Sequence, residues 1–195
     1  MNDQKPLLLF DLGGVLVDYS GVQDIHGVLS ETLTQERLAE LMRASADIWS
    51  SFEVGKLTPV EFSERFAGHW PLAVSREQFL IEFESWIRAL YPGAMELLAE
   101  LRPGYRLAAL SNTNEIHWRR MRDVLRTGDL FERAFLSHEV GLRKPSPDVF
   151  EHVLRELDVK PDEATFFDDA EANVEAARGV GMRAFRVEGV ESLRA

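Results

Sequence analysis

Short apolar runs alternate with amphipathic helical patterns along most of the chain. The first run, Leu7–Phe10, is continuous. Asp11 ends the run, and Leu12, Gly13 and Gly14 follow it. Such a run is typical of a strand buried on both faces of a parallel sheet. The alternation favours right-handed β-α-β crossovers and predicts an α/β fold with a mainly parallel sheet. The later strands are predicted at Tyr105–Leu110, Ala134–Leu136, Ala164–Phe167 and Arg183–Val187.

The segment from about residue 22 to residue 90 departs from this alternation. It contains successive helical patterns and no convincing strand pattern, with helix starts predicted at Thr34, at Thr58 and at Ser75. We therefore predict a helical insertion, residues 20–90, in a core formed by residues 1–19 and 91–195. Large aromatic residues are expected to fill the interior of the insertion. They are Trp49, Phe52, Phe62, Phe66, Trp70, Phe79, Phe83 and Trp86.

Composition narrows the class of function. A chain of 195 residues is long enough for one main domain with a small inserted lobe. The net charge of -11 argues against a large nucleic-acid footprint, so an anionic substrate needs a local electropositive pocket. The absence of cysteine excludes disulfides and thiolate chemistry. Leu7–Phe10 is far shorter than a signal-peptide core or a membrane span, so we expect a cytoplasmic enzyme with no membrane partner.

Polar residues follow the apolar runs at four places where parallel strands are predicted to end. These places are Asp11–Gly14, Ser111–Asn114, Lys144–Pro145 and Asp168–Asp169. The carboxyl ends of parallel strands open onto one crevice, so these residues are expected to converge. Each segment alone also has an ordinary explanation, such as a turn cap, a helix cap or an exposed loop.

The residue types at these four places suit phosphoryl chemistry. A carboxylate such as Asp11 attacks phosphorus and forms an aspartyl-phosphate. The adjacent carboxylates Asp168 and Asp169 repel each other unless they share a cation, and Mg²⁺ prefers such hard oxygen ligands. Ser111–Asn114 places donors at a helix N-terminus, which favours anions, and Lys144 precedes a proline in a loop that reaches towards the pocket.

Taken together, the four segments resemble the motifs of the haloacid dehalogenase superfamily. The matches, in motif order, are Phe10–Leu16, Leu110–Asn112, Lys144–Pro145 and Phe167–Asp169. The resemblance covers nearly the whole chain and implies a Rossmann-like three-layer α/β/α core that carries a small helical cap after the first strand. Asn173 and the Ser-Asn-Thr-Asn run are similar to bacterial sugar-phosphate phosphatases, such as those that act on α-D-glucose-1-phosphate.

The resemblance also implies a role for each matched residue. Asp11 is the implied nucleophile, and Ser111, Asn112 and Lys144 are implied to hold the phosphoryl group. The implied ligands of Mg²⁺ are Asp11, Asp168, Asp169 and the backbone carbonyl of Gly13. The implied activity is the magnesium-dependent hydrolysis of a small phosphorylated metabolite, a sugar phosphate.

Gly13 is the one departure from the family pattern. Most phosphatases of the superfamily carry there a second aspartate that acts as general acid and base. Loss of a general acid costs roughly a hundred- to ten-thousand-fold in rate, so we expect a narrow set of substrates with easy leaving groups. Asp18 is a weaker candidate for the missing acid.

Two other functions remain open from the sequence. One is a metal-independent 2-haloacid dehalogenase, which also lacks the second aspartate but does not need the Asp168–Asp169 pair. The other is a non-catalytic regulatory protein that binds phosphate. Core or surface roles are expected for Tyr19, Trp49 and His117, and the sequence does not predict the oligomeric state.

Overall fold

The fold is described from a computed structural model that covers residues 5–194. The first four residues of the predicted core segment and residue 195 lie outside the described residues. The strands are β1 (Leu7–Phe10), β2 (Val17–Tyr19), β3 (Ile87–Leu90), β4 (Arg106–Ser111), β5 (Arg133–Leu136), β6 (Ala164–Asp168) and β7 (Arg183–Arg186).

Helices occupy most of the connections between these strands. They are α1 (Gln35–Ala44), α2 (Ala46–Glu53), α3 (Pro59–Ala67), α4 (Arg76–Ser85), α5 (Ala94–Leu101), α6 (Glu115–Asp123), α7 (Ser137–Val140), α8 (Pro147–Leu157), α9 (Glu171–Gly179) and α10 (Gly189–Arg194). None of them, within the described part of the chain, combines the length and the apolar composition that crossing a bilayer requires. Cytoplasmic localisation stays a prediction.

Five strands form one parallel sheet in the order β5-β4-β1-β6-β7. All four residues of the central strand β1 are buried, which explains its continuous apolar run. Alternate side chains of β1 enter two separate apolar clusters, Leu8 and Phe10 on one face and Leu7 and Leu9 on the other. Helices α5 and α6 cover the first face, and α8 and α9 cover the second. The predicted three-layer α/β/α core is confirmed.

A third apolar cluster is formed mainly by the helical segment, which we define as α1–α4, residues 35–85. Ile25, Val28, Leu33, Trp86 and Ile116 complete it from outside the segment. Its aromatic rings stack closely, with the ring centroids of Phe52 and Phe62 only 4.2 Å apart. Seven of the eight predicted aromatic residues are buried, whereas Trp49 is only partly buried. The predicted helix starts at Thr34, Thr58 and Ser75 are confirmed, because each side chain accepts a hydrogen bond from the backbone three residues later.

A short antiparallel ribbon joins the helical segment to the sheet. Strand β2 pairs with β3, so the prediction that residues 22–90 contain no strand is wrong at Ile87–Leu90. Only Ile87 of β3 is buried, so the strand carries little hydrophobic pattern of its own. Its hydrogen-bond partner, β2, lies about 70 residues earlier in the chain, and such a distant pairing leaves no local signal.

Candidate active site

The carboxyl ends of β1, β4 and β6 meet at one cavity of about 240 Å³. Five of the residues singled out in the sequence line it, namely Asp11, Gly13, Ser111, Asn112 and Asp169. The other two, Lys144 and Asp168, lie beneath the cavity wall and are almost completely buried. The structure therefore brings together side chains from all four segments.

Lys144 holds two carboxylates together at the centre of this arrangement. Its Nζ lies 2.8 Å from Asp11 Oδ1 and 2.6 Å from Asp168 Oδ2. Burial opposes the charge on Lys144, but the charges of Asp11 and Asp168 outweigh it, so the pKa of Lys144 is raised. Burial likewise raises the pKa of Asp11; the charge of Lys144 counters this effect, and that of Asp168 adds to it.

Asp168 uses both of its oxygens within the protein. Oδ2 accepts from Lys144, and Oδ1 accepts from the Ala170 backbone N–H at 2.9 Å and from Asn173 Nδ2 at 2.8 Å. These bonds fix the carboxylate and hence the position of the Lys144 ammonium group. The geometry therefore favours a positioning role for Asp168 over the direct magnesium ligation that the sequence analysis included.

Three carboxylates surround the one ammonium group. Asp11, Asp168 and Asp169 each offer an oxygen, and these oxygens lie within 4.8 Å of one another. Burial and then the charge of Asp168 raise the pKa of Asp169, and the charge of Lys144 opposes them. Such a set of hard oxygen donors fits Mg²⁺, which commonly bridges protein carboxylates to a substrate phosphate.

The backbone and its neighbours require glycine at position 14 but not at position 13. Gly14 has a φ of +76°, and a Cβ there would overlap the Asp169 carboxylate, so only glycine fits. A Cβ on Gly13 would lie 3.6 Å from Tyr19 Cδ1, which is an ordinary contact distance. Glycine at position 13 is therefore not required by space.

The loop after β4 is tied to the loop that carries Lys144. Asn112 Nδ2 donates to the Lys144 carbonyl, and the Lys144 N–H donates to Asn112 Oδ1, each at 2.9 Å. The Asn112 amide is thus engaged with backbone, so it supports the phosphate site chiefly by holding Lys144 in place. Ser111 is buried at the end of β4 and lines the cavity.

His117 connects this loop region to the helical segment. Its Nε2 lies 2.8 Å from the Phe83 carbonyl of α4, and its Nδ1 lies 3.1 Å from Asn114 Nδ2. Burial lowers the pKa of His117 to about 4, so the ring is neutral at pH 7. A neutral ring that donates from Nε2 and accepts at Nδ1 satisfies both contacts.

Four polar or aromatic residues that line the cavity were not assigned to it from the sequence. They are Tyr19, Trp49, Glu53 and His117, and the expected core or surface roles of Tyr19, Trp49 and His117 are incomplete. Trp49 and Glu53 are four residues apart and therefore lie on one face of α2. This spacing is the local sequence signal that could have pointed to both residues. Asp18 does not line the cavity; its carboxylate lies 4.0 Å from Arg88 Nη1.

Comparisons with known proteins agree with this geometry. A family model described as haloacid dehalogenase-like hydrolase matches residues 6–181. The chain is 30% identical over 178 residues to a sesquiterpene phosphatase from Aspergillus oryzae, covering 89% of this chain and 85% of the relative. It is 24% identical over 187 residues to a D-ribitol-5-phosphate phosphatase from Bacteroides thetaiotaomicron, covering 93% and 91%.

A solved structure shares the fold over nearly its whole length. It is a HAD family enzyme from Bacteroides thetaiotaomicron in complex with magnesium and inorganic phosphate, with a TM-score of 0.77, 27% identity and 94% of each chain covered. The four strand-end segments, the family match and the phosphatases among the relatives lead to one conclusion. The chain belongs to the haloacid dehalogenase-like hydrolase family and is a phosphatase of that family.

Proposed function

We propose that the protein is a magnesium-dependent phosphohydrolase that acts on a small sugar phosphate through an aspartyl-phosphate on Asp11. The observation that carries the proposal is the Lys144 ammonium group held between Asp11 and Asp168, beside Asp169, at one cavity. A relative named as a D-ribitol-5-phosphate phosphatase supports a polyhydroxylated substrate. The cavity of about 240 Å³ suits a phosphate, and an adjoining cavity of about 400 Å³ has room for a small organic group.

Asp11 is oriented for attack by two contacts to one of its oxygens. Oδ1 accepts from the Leu12 N–H at 2.7 Å and pairs with Lys144 at 2.8 Å, so Oδ2 is the oxygen we assign to the attack on phosphorus. The Asp11–phosphorus bond forms as the ester bond breaks, and the leaving oxygen takes a proton. Water then attacks phosphorus, which releases inorganic phosphate and regenerates the Asp11 carboxylate.

The phosphoryl group is assigned to Ser111 and Lys144, and Asn112 is assigned to holding the Lys144 loop beside it. The Lys144 charge stabilises the negative charge on the transferred oxygens, which is the main demand of phosphoryl transfer. The Mg²⁺ site is assigned to Asp11, Asp169 and the Gly13 carbonyl, and the neighbouring Asp168 is assigned to positioning Lys144. Mg²⁺ bound there supplies positive charge that offsets the phosphate and the crowded carboxylates.

The proposal divides the chain into a catalytic core and a cap. Residues 1–19 and 91–195 form the catalytic core, and residues 20–90 form a cap over the cavity. The separate apolar cluster of the helical segment supports this division, as do Trp49 and Glu53, which face the cavity from α2. The β2–β3 ribbon holds the two connections between cap and core side by side.

A phosphate-release assay with the purified protein tests the proposed function. The substrates are p-nitrophenyl phosphate and a panel of sugar and polyol phosphates, each with magnesium and with a chelator. We expect release that requires magnesium and falls to background in Asp11→Asn. Asp162→Asn is the matched control, because Asp162 is exposed and lies outside the cavity lining.

Three results would overturn the proposal. Phosphate release that persists in chelator, or in Asp11→Asn, removes the metal or the nucleophile from the account. Halide release from 2-haloacids in chelator identifies a dehalogenase instead. No release of phosphate or halide, from a folded protein that binds inorganic phosphate, identifies the non-catalytic regulatory protein instead.

A further inference from the structure

The cavity contains one carboxyl group for which the proposed function gives no role. Among the described residues that line it, three have carboxyl groups: Asp11, Asp169 and Glu53. Asp11 is assigned to the nucleophile and Asp169 to the metal. Glu53, at the end of α2, is the remaining carboxyl group, while Gly13 leaves the cavity without the aspartate that the family usually carries there.

Glu53 lines two adjoining cavities, and the scissile oxygen of a substrate that spans them would lie at their junction. A second cavity of about 400 Å³ adjoins the first, and Tyr19, Trp49 and Glu53 line both. A phosphate beside Asp11 occupies the first cavity, so its organic group extends into the second. The oxygen that joins the two parts is then at the junction, beside Glu53.

Tyr19 connects the surroundings of Glu53 with those of Gly13, because Tyr19 and Glu53 line both cavities together. The Tyr19 ring is the nearest neighbour of a Cβ built on Gly13, at 3.6 Å. Burial and the charge of Glu53 both raise the pKa of Tyr19, and the charge of Lys144 acts on Glu53. Glu53 thus lines, from the helical segment, the same cavity that Gly13 lines from the sheet.

The surroundings of Glu53 suit a group that gives up a proton and takes it back. Its Oε2 is buried and accepts no hydrogen bond, although Arg143 Nη2 lies 3.1 Å away. Burial raises the pKa of Glu53, whereas the charges of Arg143 and Lys144 lower it but do not cancel the effect of burial. A raised pKa favours the protonated acid, and Arg143 stabilises the carboxylate that forms after the proton has left.

We propose that Glu53 is the general acid and base of this phosphatase and replaces the aspartate missing at position 13. This inference rests on the proposed function. As Asp11 Oδ2 bonds to phosphorus and the ester bond breaks, the Glu53 carboxyl proton passes to the leaving oxygen. The Glu53 carboxylate then takes a proton from the water that attacks phosphorus, and the Asp11–phosphorus bond breaks.

The dependence of rate on the leaving group tests this role. A nitrophenolate leaves without a proton, whereas a sugar or polyol alkoxide needs one, so the two ester types separate acid catalysis from binding and folding. In Glu53→Gln we expect kcat/KM for the alkyl phosphates to fall by about 100-fold. We expect little change in kcat/KM for p-nitrophenyl phosphate, which reports only the steps up to release of nitrophenolate.

A second variant restores the acid from the other side of the cavity. Position 13 has room for a side chain, so Gly13→Asp in the Glu53→Gln background is expected to recover alkyl phosphate hydrolysis. Glu40→Gln is the control, since Glu40 is an exposed glutamate of the helical segment outside both cavities.

Equal losses on aryl and alkyl esters, or no loss on either, would overturn the role of Glu53. A wild-type protein that hydrolyses neither ester would instead overturn the proposed function itself, so the two failures are distinguishable. Retained p-nitrophenyl phosphate hydrolysis in Glu53→Gln also shows that this variant is folded.

Discussion

The sheet and the helical segment present polar groups to the same cavity in different ways. On the sheet side, Lys144 and Asp168 are buried and bonded to each other, so their positions are fixed before any ligand binds. On the helical side, Trp49 Nε1 and Glu53 Oε2 are buried without a hydrogen bond in the described part of the chain. Buried polar atoms without partners are rare, and a polar ligand would satisfy Trp49 Nε1, whereas Glu53 Oε2 already lies 3.1 Å from Arg143 Nη2.

This difference separates two tasks. In the proposed mechanism, the sheet side holds the groups that act on phosphorus, which is common to all phosphate esters. In the same mechanism, the helical side faces the part of the substrate that differs from one ester to another. Changes on the sheet side should therefore affect every substrate, whereas changes to Glu53 on the helical side should depend on the leaving group.

The largest effect is expected for Lys144→Met. Loss of the ammonium group removes stabilisation of the transferred phosphoryl charge, and we expect kcat/KM to fall about 1,000-fold for aryl and alkyl esters alike. It also leaves Asp11 and Asp168 buried without their cation, which costs about 3–5 kcal/mol in the free energy of unfolding. Steady-state kinetics and urea unfolding measure the two losses.

Lys56→Ala is the control for Lys144→Met, because Lys56 is an exposed lysine of the helical side. A loss in Lys144→Met that is restricted to alkyl esters would contradict the division between the two sides.

The next largest effect is expected for Phe62→Ala in the helical segment. The Phe62 ring is fully buried and stacks on Phe52, so its truncation leaves a cavity in the aromatic cluster. We expect the free energy of unfolding to fall by about 3–5 kcal/mol, measured by urea titration. Val60→Ala, an exposed change on the same helix, should have almost no effect, and a similar loss in both variants would show that the ring is not part of a packed core.

The buried His117, which contacts both sides, should make the free energy of unfolding depend on pH. Its pKa is about 4 in the folded protein and 6.5 in an ordinary setting, so the unfolded chain binds the proton more readily. The contribution of His117 to stability is therefore complete above pH 6.5 and declines as the pH falls towards 4, by about 3 kcal/mol in total.

Urea unfolding at several pH values, compared between wild type and His117→Gln, measures this contribution. The difference in free energy of unfolding between the two proteins should be largest at pH 7 and should shrink on acidification. His26→Gln, which replaces an exposed histidine, is the control. A difference that stays constant with pH would show that burial does not keep His117 neutral.

The smallest effect is expected for Asp18→Asn. Asp18 lies outside the cavity lining, and its side chain is 39% exposed beside Arg88. We expect kcat/KM to stay within about twofold of wild type for both ester types, as for most surface charges. A large loss restricted to alkyl esters would move the general acid from Glu53 to Asp18.

The sequence predicted the sheet side well because its signals are local. The continuous apolar run of β1 and the polar residues at the strand ends follow directly from the topology of a parallel sheet. The sequence was a poorer guide to the role of Asp168. Two adjacent aspartates do not reveal that one of them is bonded to Lys144, Ala170 and Asn173.

The helical side could be predicted only in part. Helix starts and the aromatic core carry local patterns, and both were recognised. The residues that face the cavity depend on how α2 packs against the loop that carries Arg143, across some 90 residues of chain. No local pattern encodes that contact, so Glu53 was not singled out and Trp49 was assigned to the core.

Detection of the covalent intermediate tests the central claim most directly. The protein is mixed with a substrate it turns over, in the presence of magnesium, quenched in acid within the first turnover and digested for mass spectrometry. We predict a phosphoryl group on the peptide that contains Asp11, at the Asp11 carboxylate, and none when magnesium is chelated. Release of phosphate with no phosphoryl group on Asp11 at any quench time would contradict the account.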